Sequence, residues 1–214
     1  MDLIKISKIS GVKLQILDLS HVLTNGMPIF PQDPPFILEE VVNFENNFYS
    51  LSILKTGLHA GTHIDAPYHF HSSGQKINQI KLKDLMGTAR IIDVKKEVKA
   101  EDLPSLENMD ILLIRTRWSN KWGKKEYFED NPYLSLEAAE IISKSQIKGV
   151  GIDGPSVDPP GEITIHQKLL SNGRWIVENL NNLDLIKSPL VEIYFIPLAL
   201  EGEASPVRAF AKIK

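Results

Sequence analysis

The sequence predicts an α/β fold with strands in the majority, and three observations carry that reading. Seven apolar, β-branched runs are bounded by turn residues; only two stretches have the length and capping of helices; and one of those helices leads within a few residues into a run that reads as a buried strand. The chain has 214 residues and no shift of composition that would mark a linker, so a single domain over residues 1–214 is expected.

The expected strands, in order, are VKLQILDL (12–19), SLSILKT (50–56), ARIIDV (89–94), DILLIRT (110–116), KGVGID (148–153), RWIVEN (174–179) and VEIYFIPL (191–198). The helix SLEAAEIISKSQ (135–146) has Ser135 as its N-cap, good helix formers inside and Gly149 beyond its end. A second helix, EITIHQKLLSN (162–172), is closed by Gly173. The helix at 135 followed by the strand at 148 is a βα element, which puts helices on a sheet. The chain shows no internal repeat, no low-complexity segment and no glycine-rich dinucleotide or Walker loop.

Composition narrows the function. With 43% hydrophobic residues, 24% charged residues and a net charge of −3, the chain reads as an ordinary globular protein. Basic residues are interspersed with acidic ones, as in KKEVKAED (95–102), so no nucleic-acid partner is expected. Cysteine is absent, which leaves nitrogen and oxygen as the donors for any metal and removes thiolate nucleophiles. The N-terminal MDLIKISKISGVKLQ lacks the apolar run of a signal peptide, and IYFIPLAL (193–200) is too short to span a bilayer. A cytoplasmic enzyme or binding protein with a small-molecule ligand and no membrane partner is the expectation.

Half of the six histidines lie in HAGTHIDAPYHF (59–70). His59, Gly61, His63, Asp65, Pro67 and His69 occupy the odd positions and mostly apolar residues the even ones, which is the period of an extended chain. A straight strand would hold His59 and His63 about 13 Å apart, too far to share one ion bound at about 2.0 to 2.1 Å. The backbone must therefore bend, and Gly61 is the residue that permits it. Imidazole and carboxylate are the donors that zinc, manganese or iron accept where no thiolate is present, so His59, His63 and Asp65 are candidate metal ligands. For His69 the spacing leaves three roles open: a fourth ligand, a proton carrier or a group that orients a ligand. His21 and His71 stand alone and read as hydrogen-bonded structural residues. Ala60 excludes the H-E-x-x-H zinc helix.

The pattern H-x-G-T-H-x-D-x-P-x-H, intact from His59 to His69, resembles the signature of the metal-dependent cyclase family, in particular its kynurenine formamidase branch. The resemblance continues in the family's order through LDLSHVLTNGMPIFPQDPPF (17–36), GVGIDGPSVDPP (149–160), HQKLLSNGRWIVENLNNLD (166–184) and PLALEGEASPVRAFA (197–211). It implies the swivelling β/β/α fold of that family and a metal-dependent amidohydrolase acting on an aryl formamide, with N-formyl-L-kynurenine as substrate. It further implies two zinc ions per subunit, or manganese, with His59, His63 and Asp65 on one and Asp65, His166 and Glu178 on the other. His69 would shuttle the proton. Spacing alone does not select His166 and Glu178, because Asp153, Asp158 and Glu162 are as close to His166, and Glu178 reads equally as a strand-end carboxylate.

The sequence departs from the branch near its N-terminus, where a Trp-Pro-Gly-Asp element is replaced by Phe30, Pro31, Gln32 and Asp33. The resemblance assigns Phe30 to the substrate wall and leaves the shape of the turn to differ. It also implies a homodimer or homotetramer in which the N-terminal segment of a neighbouring subunit closes each pocket. Two other readings stay open: ring opening of a cyclic amide such as isatin at a one-metal site, and a catalytically silent metal- or ligand-binding domain, which would have no use for a free imidazole at position 69.

Overall fold

In the run DILLIRT, consecutive residues Ile111 to Ile114 all lack exposed surface, which requires a strand covered on both faces. The computed structural model describes residues 15–213 together with the two-residue strand Ile4–Lys5, and it shows what covers them. The strands are β1 (Ile4–Lys5), β2 (Gln15–Asp18), β3 (Ile37–Val42), β4 (Leu51–Lys55), β5 (His63–Asp65), β6 (Met86–Asp93), β7 (Glu97–Val98), β8 (Ile111–Arg115), β9 (Tyr133–Leu134), β10 (Gly149–Ile152), β11 (Trp175–Glu178), β12 (Leu190–Pro197) and β13 (Ala204–Ile213). Two α-helices, α1 (Leu136–Lys144) and α2 (Thr164–Leu170), flank β10 in sequence.

Seven strands in the order β5-β13-β12-β6-β8-β10-β11 close into a barrel, because β5 pairs antiparallel with β11 on one side and with β13 on the other. Strands β6, β8, β10 and β11 run parallel, as βα units require, and the other pairs of the barrel are antiparallel. Beyond the start of β13, the edge that pairs with β5 passes to β2, which carries β1. Ile111, Leu113, Val177, Ile193, Phe195, Ala209 and Ile64 fill the inside, so the barrel is a packed core. Leu112, Ile114, Val150, Ile152 and Ile176 face outward against α1 and α2. Burying side chains of this size contributes about 1.5–3 kcal/mol each.

The expected strands and helices are present with boundaries shifted by one to three residues; positions 12–14 of the first lie outside the described residues. Ser135 caps α1 by accepting a hydrogen bond from the Ala138 amide at 3.1 Å. The helix stops at Lys144, where the Arg174 guanidinium donates to the carbonyl oxygens of Ser143 and Ser145. Beyond the seven expected strands lie the two-residue strands β1, β7 and β9 and three larger differences. β5 is only three residues long, β3 forms a separate two-stranded hairpin with β4, and β13 is the longest strand of all. Pro206 and Arg208 break the apolar run of β13, and a proline ordinarily argues against a strand interior. It is accommodated opposite His63 at the end of the β5 pairing. No helix among the described residues is long and apolar enough to cross a membrane.

Candidate metal centre

The site lies on the outer face of the barrel, between the β5/β11 pair, α2 and a 3-10 turn at Pro67–His69. Gly61 has φ +63, so the backbone bends between His59 and His63 as the spacing demanded. The two rings come within 5.1 Å, centroid to centroid. The bend is held by the Gly61 carbonyl, which accepts from His63 Nδ1 at 2.8 Å and from Asn179 Nδ2 at 2.9 Å. That bond leaves Nε2 of His63 facing the site. The alternation ends at Asp65, which corrects the expectation of one continuous extended face: Pro67 starts the 3-10 turn, Tyr68 is exposed, and the turn carries His69 back to within 4.3 Å of the His59 ring.

Strand pairing supplies the carboxylates. In the β5/β11 register His63 stands directly opposite Glu178, so their side chains share a face with Asp65. Glu178 Oε1 accepts from the Val157 amide at 2.9 Å and lies 3.2 Å from His166 Nε2, while Oε2 lies 3.6 Å from His63 Nε2. His166 enters from the first turn of α2. Asp158 holds it there: one carboxylate oxygen accepts from the Ile165 amide at 2.6 Å, and the other from the His166 amide at 3.0 Å and ring Nδ1 at 2.5 Å. Asp158 therefore caps α2 and aims Nε2 of His166 at the site, the carboxylate–histidine arrangement common behind metal ligands.

Asp65 is the common member. Its Oδ1 is 2.8 Å from His59 Nδ1 and 3.4 Å from His63 Nε2, and its Oδ2 is 3.3 Å from His166 Nε2. Both oxygens are buried and have no backbone amide or hydroxyl donor among the described residues, which leaves the imidazoles beside them. Two groups of donors converge to within 4.8 Å, His59 with Asp65 and His69, and His63 with Asp65 and Glu178. A buried carboxylate met only by imidazoles is costly unless positive charge, on those rings or on a bound cation, completes it. The donors are all imidazole nitrogen and carboxylate oxygen, so the residues fit a divalent ion of the zinc or manganese type.

The electrostatics agree. Burial works against a charged ring at His59, but the adjacent Asp65 carboxylate, with Glu178 and Asp33, pushes it up to about 9. Burial likewise opposes charge on His166, yet Glu178, Asp158 and Asp65 hold it well above the usual histidine range. Burial opposes charge on Asp65 as well, and the imidazoles of His59 and His63 nevertheless hold its carboxyl well below the usual range. The cluster thus demands positive charge. His69 is the exception: burial pushes it down to about 4, leaving a neutral imidazole at the cleft wall.

The open side of the cluster is a cleft walled by Phe30, Phe70, Trp122, Phe128 and Ile163. Phe30 meets Phe128 edge to face at 5.6 Å, and Tyr127 links Phe128 to Trp122 behind the wall. The Phe30–Asp33 turn survives, with the Asp33 amide donating to the Phe30 carbonyl at 3.0 Å and Gln32 taking φ 79, a value more usual for glycine. Asp33 and Glu162 also line the cleft. Asp153 lies elsewhere, accepting from the Thr116 and Arg117 amides. His71 is exposed beside Ser73, and His21 stacks on Trp122. Asp158, Asn179, Trp122 and Phe128 are site residues that sequence reasoning did not single out. Asp158 was one of three equivalent acids, and Asn179 carried only its adjacency to Glu178.

Comparison with known proteins follows the same line. A family model described as "Putative cyclase" matches residues 17–159. The chain is 37% identical over 202 residues to the kynurenine formamidase of Bacillus cereus, covering 90% of this chain and 95% of the relative. It is 35% identical over 205 residues to that of Bacillus cytotoxicus, covering 92% and 96%. In fold it resembles isatin hydrolase A from Labrenzia aggregata, with a TM-score of 0.84 at 23% identity over 94% of both chains. It also resembles a solved structure described as a "predicted metal-dependent hydrolase" from Bacillus stearothermophilus, with a TM-score of 0.75 at 26% identity over 94% and 99%.

Proposed function

The chain belongs to the cyclase family, and from that premise we propose that it is a metal-dependent amidohydrolase cleaving an aryl formamide, N-formyl-L-kynurenine to L-kynurenine and formate. The observation that carries the reading is Asp65, whose two buried oxygens face three imidazoles and no backbone donor beside an aromatic cleft. His59, His63 and Asp65 would hold one ion, and Asp65, His166 and Glu178 a second, with zinc or manganese suited to the donors. Such ions supply a Lewis acid that lowers the pKa of water to about 7 and makes it a nucleophile without any attacking side chain.

The protein's own residues do the rest. Phe30, Trp122 and Phe128 bind the aryl ring and exclude water from the formamide. The neutral imidazole of His69 takes a proton from the attacking water and passes it to the amine nitrogen as the C–N bond breaks. The water's oxygen stays on the formyl carbon, which departs as formate, and the arylamine is the second product. Self-association into a homodimer or homotetramer belongs to the same reading; the exposed apolar faces of the β3–β4 hairpin support it.

The test is to count metals per chain and to follow formate release from N-formylkynurenine, and ring opening of isatin, with and without chelator. His69→Ala is expected to retain metal and lose turnover by about 10²–10⁴-fold. Asp65→Ala is expected to lose both. A His69→Ala enzyme working at the native rate removes His69 from proton transfer; a chain that takes up no zinc or manganese removes the reading altogether.

A further inference from the structure

Asn179 follows Glu178 directly and joins four segments of chain. Its amide donates to the Gly154 carbonyl at 2.9 Å, and its own carbonyl accepts from Thr62 Oγ1 at 2.7 Å. Its side-chain Nδ2 donates to the Gly61 carbonyl at 2.9 Å, and Oδ1 accepts from the Tyr127 hydroxyl at 2.7 Å. The Gly61 carbonyl is the oxygen that fixes the ring of His63 through Nδ1. A flipped Asn179 amide would set two oxygens against each other at Gly61, so the Gly61 carbonyl selects the amide orientation and the Tyr127 hydroxyl, donating to Oδ1, holds it there. Both residues are buried, and Asn179 takes φ 57, a conformation asparagine tolerates.

Tyr127 has a second attachment. Its ring packs edge to face on Trp122 at 5.3 Å and on Phe128 at 5.0 Å, two walls of the cleft. We propose that Tyr127 and Asn179 are positioning residues that tie the aromatic wall to the metal cradle, holding His63 through Gly61 and Glu178 through the chain. The proposal rests on the metal-centre reading above. Neither residue touches the reacting atoms; they fix where Nε2 of His63 and the Glu178 carboxylate stand before an ion arrives.

Tyr127→Phe removes the hydroxyl alone, and Asn179→Gly removes the side chain while suiting the positive φ. The full chain and both variants are stripped of metal. Zn²⁺ affinity is then measured by competition with a chromophoric chelator, and melting temperature with and without Zn²⁺. A loss of Zn²⁺ affinity of about 10- to 100-fold in either variant is expected, with a smaller rise in melting temperature on adding Zn²⁺. Co²⁺-loaded variants should also show an altered visible absorption spectrum. If both variants bind Zn²⁺ as tightly as the native chain and keep its Co²⁺ spectrum, being merely less stable without metal, the pair is structural and the proposal is overturned. A native chain that binds no Zn²⁺ overturns the metal-centre reading as well, and the two failures are thereby told apart.

Discussion

His21 lies flat on Trp122, ring centroids 4.0 Å apart and planes within 10°, with its Nε2 buried and unpaired among the described residues. Burial pushes its pKa down from 6.5 to about 4. The folded chain therefore keeps this ring neutral where the unfolded chain protonates it, so between about pH 6.5 and 4 the unfolded state binds more protons and stability is lost as the pH is lowered. His21→Phe keeps the stack on Trp122 and removes both the unpaired nitrogen and the titration. The variant should be more stable than the native chain at pH 7, with a margin that widens toward pH 4.5 in urea titrations; a margin that does not change with pH would show that the ring is not held neutral. His59, His63 and Asp65 were legible because chain geometry acts locally: a two-residue period plus a glycine; His69 shares that spacing in the sequence but reaches the site on the 3-10 turn Pro67–His69. His166 and Glu178 were not, because they reach Asp65 only through a strand pairing and a helix start more than 100 residues away.

The proposed proton carrier, His69, stands on the 3-10 turn Pro67–His69, which is braced from outside by Gly74. A Cβ at Gly74 would stand 2.6 Å from the Pro67 carbonyl carbon and 2.8 Å from the Tyr68 nitrogen, both backbone atoms. The Tyr68 amide also donates to the Gln75 carbonyl at 3.0 Å, so turn and brace cannot separate freely. Gly74→Ala should cost about 1–3 kcal/mol of stability by overpacking and displace His69. Metal content should survive, since His59, His63 and Asp65 precede the turn. Thermal denaturation and metal analysis beside Ser73→Ala, an exposed neighbour, check this; native turnover in Gly74→Ala would mean the turn has slack. At this scale the seven expected strands were readable because β-branched and other apolar residues dominate runs bounded by turn residues, and the two helices because of their length and their ends at Ser135 and Gly173. β13 was not, its run being broken by Ser205, Pro206 and Arg208, and β3 carries the polar pair Glu39 and Glu40 between exposed apolar residues.

Closure of the barrel depends on β5, three residues whose two partners lie at positions 175–178 and 204–206, and contacts so distant in sequence leave no local periodicity to read. The same molecule leaves the β3–β4 hairpin outside the closed sheet. Every residue of β4 is exposed, and Phe44 and Phe48, on the connection between the strands, are 70% and 103% exposed. A two-stranded hairpin is marginal in water by itself, and a contiguous apolar surface of this kind marks a contact. We propose that another copy of the chain, in the homodimer or homotetramer that the family resemblance leads one to expect, covers the hairpin. Light scattering at several concentrations should return a mass above the 24.1 kDa of one chain, and the double variant Phe44→Ser, Phe48→Ser should shift the population toward monomer with the barrel still folded. A native chain that stays at monomer mass across the concentration range would leave the hairpin without that partner.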